Sequence, residues 1–242
     1  MEVKNYLLGY NNMFIYQDTD YFNFSLDSVL LPNFVTLNKG IKRILDIGCG
    51  NAPIPLILST KTSAKIIGVE IQKPVYHLAK KSVEINNLNT QIEIINDDIL
   101  DYADKIESDQ FDVITCNPPF FKVDENSNLN DNECKCIARH EIKLNLDNLF
   151  KVSRKLLKNN GVIAIVHRPD RIVEIMQIMK KYNIEPKKIR FVYPKINKEA
   201  NMVLIEGRKN GNEGIKVLSP LYVHNDNGDY SDEVLRYFEK GD

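Results

Sequence analysis

A chain of 242 residues with 43% hydrophobic content is long enough for one sizeable core. No stretch reaches the roughly 18 to 20 apolar residues of a membrane span, and Met1-Glu2-Val3-Lys4-Asn5 lacks a signal-peptide core, so a cytoplasmic protein is expected. The net charge of −1 excludes an overall basic field, yet residues 151–216 hold 16 Lys and Arg against 6 Asp and Glu.

Such asymmetry can mark a nucleic-acid footprint on one side of a protein. The chain is also rich in Lys, Asn and Ile throughout, so a single lysine reads first as solvated surface. Charge reversal at Lys187 and Lys188 is the direct probe of an RNA contact in this half. The four cysteines, Cys49, Cys116, Cys134 and Cys136, include no CxxC pair and read as free thiols. Cys134-Lys135-Cys136 with His140 nearby is a metal half-site without a second pair, and no metal is expected.

In chain order, residues 1–40 form an aromatic, Asn-rich extension with Tyr6, Tyr10, Phe14, Tyr16, Tyr21, Phe22 and Phe24. Strands and helices then alternate. Residues 41–47 read as a strand, 53–60 as a helix, 64–71 as a strand and 74–87 as a helix with Pro74 in its first turn. Residues 91–95 and 111–116 are the third and fourth strands. Residues 122–136 are polar, lack an apolar period and read as a loop that can serve as a substrate lid. A helix over 146–157, stopped by Asn159-Asn160-Gly161, precedes a strand at 162–166 and a helix at 170–182. Strands at 188–192 and 201–206 close the series. This rhythm predicts an α/β fold, a mostly parallel sheet with helices on both faces and an antiparallel edge.

In such sheets ligands bind beyond the carboxyl ends of the strands. Asp46-Ile47-Gly48-Cys49-Gly50-Asn51 is a strand running into a glycine turn there. Glycines let the backbone turn sharply and approach a ligand closely. A dinucleotide site would carry a third glycine where this chain has Pro53, which favours S-adenosyl-L-methionine over NAD. Glu70, closing the second strand before Ile71, can accept both ribose hydroxyl protons. Asp98 can accept from the adenine amino group, with Ile99 against the ring, and Asp97 is the alternative. Asp46 can hold the methionine amino group or brace the glycine turn.

Asn117-Pro118-Pro119-Phe120 follows the fourth strand. An exocyclic amine is a poor nucleophile because its lone pair is delocalised into the ring. Two acceptors on its N–H groups favour a tetrahedral, reactive nitrogen. The Asn117 side-chain oxygen and the Pro118 carbonyl can supply them. Each precedes a proline, which biases it toward extended geometry and aims the acceptor in advance. Phe120 offers a face for a flipped-out base. A neutral amine needs no base before methyl transfer, so none of the four histidines is assigned a catalytic role.

The glycine turn and Asn117-Pro118-Pro119-Phe120 resemble motifs I and IV of class I amino-methyltransferases. Phe22-Asn23-Phe24-Ser25-Leu26-Asp27-Ser28-Val29-Leu30-Leu31, Ala138-Arg139-His140-Glu141, and Met202–207 with Lys216-Val217-Leu218 are similar to segments of the bacterial tRNA1(Val) adenine-37 N6-methyltransferase family. The resemblance implies a Rossmann-like class I fold with seven strands, and N6-methylation of A37 in valine tRNA. It implies that Phe24, Ser25 and Asp27, with Phe22, close the cofactor pocket, and that Arg139 lies near RNA phosphate. It further implies a methyltransferase domain over residues 41–210, with 1–40 closing the pocket and 211–242 as a tail on the same domain. A monomer is expected. The rivals are rRNA guanine-N2 enzymes, which share Asn-Pro-Pro-Phe, release-factor glutamine enzymes, which usually carry Tyr at the Phe120 position, and a non-catalytic RNA-binding module.

Overall fold

The computed structural model describes residues 1–7, 9–19, 21, 25–118 and 144–238. The expectations for Phe22, Phe24, Pro119, Phe120, Arg139, the 122–136 loop, Cys134, Cys136 and His140 lie outside these residues.

Glu2–Leu7 (β1) and Tyr10–Asp18 (β2) pair as an antiparallel hairpin, and Leu26–Phe34 (α1) follows. The alternating core is Arg43–Ile47 (β3), Pro53–Ser59 (α2), Lys65–Glu70 (β4), Lys73–Ile85 (α3), Ile92–Asn96 (β5), Ile99–Lys105 (α4) and Phe111–Cys116 (β6). Leu146–Leu156 (α5), Leu157–His167 (β7), Ile172–Lys181 (α6), Ile184–Tyr193 (β8) and Met202–Lys209 (β9) continue it. Lys216–Val217 (β10), Leu221–Tyr222 (β11) and Asp232–Phe238 (α7) complete the described chain.

The long strands lie in the order β5-β4-β3-β6-β7-β9-β8. All are parallel except β9, which is antiparallel to β7 and β8. The expected α/β, mostly parallel sheet is therefore present, with two differences. The short strands β10 and β11 add to β8, giving nine strands where seven were expected. The antiparallel strand lies inside the edge, because the short β8–β9 connection permits only a hairpin and returns β9 into the gap beside β7.

The strands read as continuous apolar runs because both faces are covered. Ile44, Ile66, Val113 and Ala164 face the layer of α1, α2 and α3. Their neighbours Leu45, Ile67, Ile114 and Ile163 face α4, α5 and α6. Pro53 opens α2, where a missing N–H has no cost. Asp98 and Asn145 cap α4 and α5, accepting from Leu100 N–H at 3.0 Å and Asn148 N–H at 2.8 Å.

Asn159-Asn160-Gly161 does not end the preceding helix. That helix stops at Leu156 and the chain enters β7 at once. The Asn-Asn-Gly segment instead lies in an irregular part of β7, where register jumps from Phe111–Leu157 to Val113–Val162 and Asn160 has φ of 62°. Pro186 sits at a similar break in β8, where no ladder donor is needed.

The N-terminal hairpin is tied to the main domain. Leu7, Tyr10 and Ile15 are fully buried in the same core as α1, α2 and α3. Phe14 and Asn86 exchange hydrogen bonds of 2.9 and 2.7 Å, and Tyr16 N–H donates to Ser82 Oγ at 2.9 Å. Val234 of α7 joins that core, and Arg190 forms a two-pronged ion pair with Glu233.

The structure corrects the reading of Lys188 as a surface contact. Its Nζ donates to Phe34 O at 2.6 Å and Thr36 Oγ1 at 2.8 Å, and lies 3.1 Å from Glu206 Oε2. Glu206 is 3% exposed, and a carboxylate so placed needs a paired cation. Nine of the 16 basic residues in 151–216, Lys188 and Arg190 among them, form ion pairs with described residues, so the local excess of positive charge is partly neutralised within the fold.

Candidate active site

The parallel strands deliver their carboxyl ends to one edge, where the described residues predicted after β3, β4, β5 and β6 lie. Register pairs Ile47 with Val69 and with Cys116, and Glu70 with Asn96, so the segments after β3, β4, β5 and β6 lie side by side. Gly48 and Gly50 have φ of 65° and 56°, and a Cβ on either would meet nothing within 4 Å among the described residues. The turn is thus left-handed and open, as close approach by a ligand requires. Gly48 and Cys49 N–H both donate to Val69 O, at 2.9 and 3.1 Å, which locks the turn to β4.

Glu70 is 3% exposed. Its Oε2 accepts from Gly50 N–H at 3.0 Å and its Oε1 from Gln72 N–H at 2.8 Å. Burial pushes its pKa above the ordinary carboxylate range, against these backbone donors, which favour the charged form. Each oxygen retains a lone pair for a hydroxyl donor. Asn96 Nδ2 bridges Glu70 O and Ile71 O at 2.8 and 3.2 Å, fixing the backbone around Ile71.

Asp46 is 1% exposed. Its Oδ1 accepts from Thr115 Oγ1 at 2.6 Å, while Oδ2 is buried without a hydrogen-bond partner among the described residues. Burial first, partly offset by Thr115 and reinforced by the charge of Glu70, raises its pKa to about 7. An orphaned carboxylate oxygen of this kind suits a cationic or N–H-bearing ligand.

Other predicted residues lie at the edge with their side chains engaged elsewhere. Cys49 is buried; a Cβ on Gly68 would come within 2.8 Å of its Sγ, and burial pushes its thiol pKa up. Asn51 is 5% exposed, and its Nδ2 donates to Tyr16 O at 2.8 Å, joining the glycine turn to the hairpin. Ile99 packs in the core beneath α4. Asp98 uses Oδ1 to cap that helix, and Asp97 is held by Lys105 at 2.6 Å. Cys49 and Asn51 therefore lend the turn their backbone.

Asn117 follows β6, with its Nδ2 3.2 Å from Ser28 Oγ. Ser25 Oγ donates to Asp27 Oδ1, which also accepts from Ser28 N–H at 2.8 Å. The start of α1 thereby comes beside Asn117. Sequence reasoning assigned no role to Ser28, Thr115 or Tyr16. Thr115 carried a faint signal as a hydroxyl within an apolar strand. At the end of the neighbouring strand, burial and Arg171 hold the pKa of His167 down at about 4, so its ring is neutral.

The model of the methyltransferase small domain matches residues 12–190. The chain belongs to that family. Curated relatives named tRNA1(Val) (adenine(37)-N6)-methyltransferase include that of Shewanella halifaxensis, 29% identical over 160 residues; the match covers 66% of this chain and 63% of that protein, just under two thirds of its length. The Flavobacterium psychrophilum relative is 24% identical and the Bacteroides thetaiotaomicron relative 29%, each over 88% of this chain and over 91% and 88% of their own lengths. A solved predicted O-methyltransferase of Agrobacterium tumefaciens shares the fold with a TM-score of 0.70 at 16% identity, covering 89% of this chain and 96% of that one. Geranyl diphosphate C-methyltransferase from Streptomyces coelicolor A3(2), solved with Mg2+, geranyl diphosphate and S-adenosyl-L-homocysteine, gives 0.56 at 11% identity over 75% and 79%. The protein is a methyltransferase, and these solved structures share its expected α/β fold. Among the described residues no helix is long and apolar enough to cross a membrane.

Proposed function

We propose that the protein methylates N6 of an adenine in tRNA, at A37 beside the anticodon of valine tRNA. The observation that carries the reading is the placement of Asn117-Pro118 at the strand end beside an open glycine turn. The relatives that share most of the chain's length bear that activity in their names.

When bound, S-adenosylmethionine supplies an electrophilic methyl group. In this reading Gly48 and Gly50 admit it against the backbone and Glu70 takes the ribose hydroxyls. Asp98 accepts from its adenine, Asp46 takes the amino group of its methionine, and Ser25 and Asp27 with Phe24 close the pocket. Asn117 Oδ1 and the Pro118 carbonyl accept from the substrate –NH2 and concentrate its lone pair toward the methyl. Preorganised dipoles of this type are each worth about 3 kcal/mol in the transition state. Phe120 stacks on the flipped adenine. The amine is neutral, so its proton departs after the methyl arrives and no buried base is needed. In the same reading residues 41–210 are the methyltransferase domain, 1–40 close the pocket, 211–242 form a tail, and the protein works in the cytoplasm.

The test is transfer of labelled methyl from S-adenosylmethionine to total tRNA, with rRNA and a release factor in parallel, followed by nucleoside mass spectrometry. N6-methyladenosine in tRNA is expected. Label in rRNA or protein would overturn the substrate.

A further inference from the structure

We propose that Ser28 is a positioning residue for Asn117, holding its side-chain amide so that the oxygen is left for the substrate nitrogen. The proposal rests on the amino-methylation reading above.

Asn117 has an acceptor oxygen and an –NH2 with two N–H donors on a planar amide, and half a turn interchanges the two groups. Only the acceptor helps a nucleophilic –NH2; an amide –NH2 turned toward it would set donor against donor. Pro118 restricts the backbone of Asn117 but leaves this rotation free. Asn117 Nδ2 donates to Ser28 Oγ at 3.2 Å, which engages the donor and leaves Oδ1.

The backbone that carries this hydroxyl is firmly placed. Ser28 is 5% exposed, and its N–H donates to Asp27 Oδ1 at 2.8 Å and Ser25 O at 3.0 Å. Beyond the other end of α1, Glu206 accepts from Thr36 N–H at 2.7 Å and Thr36 Oγ1 at 2.9 Å, and Lys188 holds Phe34 O at 2.6 Å. The helix is pinned at both ends, so its first turn keeps a fixed distance from the end of β6. A serine hydroxyl can accept or donate, so the deciding observable is which half of the amide it holds.

Side-chain amide exchange in 15N-labelled protein reads this directly, with the Asn117 signal assigned by its loss in Asn117→Asp. An Nδ2 proton exchanging at least about 10-fold slower than exposed side-chain amides is expected, with the slowing lost in Ser28→Ala. Exchange at the exposed rate in the wild type, or slowing that survives in Ser28→Ala, overturns the proposal whatever the substrate. A failure to methylate tRNA overturns the substrate reading alone. With tRNA as substrate, Ser28→Ala should lower kcat about 10-fold while KM and cofactor Kd stay within about 2-fold. A fall in cofactor affinity that matches the fall in kcat would make Ser28 merely structural and overturn the proposal.

Discussion

Asp46 and Glu70 stand in low-dielectric surroundings close enough for the charge of one to raise the pKa of the other. The folded-state pKa of Asp46, about 7, lies above its ordinary 3.8, so the folded protein holds that proton more tightly than the unfolded chain. The resulting stability is present below the ordinary value and is lost as pH rises toward 7. Asp46→Asn keeps an acceptor for Thr115 and removes the titration. Its stability in urea should therefore rise relative to wild type between pH 4 and 7; a difference independent of pH would contradict this. At the other end of the site, Asn117→Ala should abolish methyl transfer while cofactor affinity, measured by calorimetry, stays within about 3-fold. Parallel loss of both would remove the division between cofactor and chemistry ends. The position of Gly48, Gly50, Glu70, Asp98 and Asn117 at or just beyond strand ends was legible in sequence, because each carries distinctive backbone or polar chemistry beside an apolar run. Ser28 and Thr115 were not, because their partners Asn117 and Asp46 lie 89 and 69 residues away.

Among the elements, those with a one-sided apolar stripe or an apolar strand run were readable. The helix 26–34 was not, because it is buried nearly all round, carries Pro32 inside and so shows no stripe. Its position depends on the β8–β9 hairpin, through Glu206 and Lys188. Glu206→Ala would leave Lys188 half-buried and uncompensated and should cost about 3 kcal/mol in urea unfolding. Glu206→Gln, which keeps an acceptor for Thr36, should cost less. Equal and small losses would show that the ion pair has little hold on this helix. The same burial explains why the internal engagement of Lys188 was not legible: composition cannot distinguish a lysine on a surface from one neutralising a buried acid.

Across the whole molecule, both terminal segments enter one core. Gly9, at φ 77°, turns the first hairpin against Phe238 of the last helix; a Cβ there would come within 2.3 Å of that ring. Leu221, Val223 and Val234 are each 3% exposed or less. Truncation after Ser219 should therefore lower the thermal midpoint of the whole protein by at least about 10 °C, as these side chains carry about 2 kcal/mol each. A separate low-temperature transition with the main midpoint unchanged would show instead an independent tail. The amino-acid order by itself determined the alternation of strands and helices, the glycine turn and Asn117-Pro118, because strand periodicity, glycine and proline act within a few residues. Only the tertiary structure decided where β9 inserts, that Lys188 is internal, that Asp46 keeps an orphaned oxygen, and that α1 carries Ser28 to Asn117. Each depends on contacts between distant segments, whose burial and pairing no local pattern encodes.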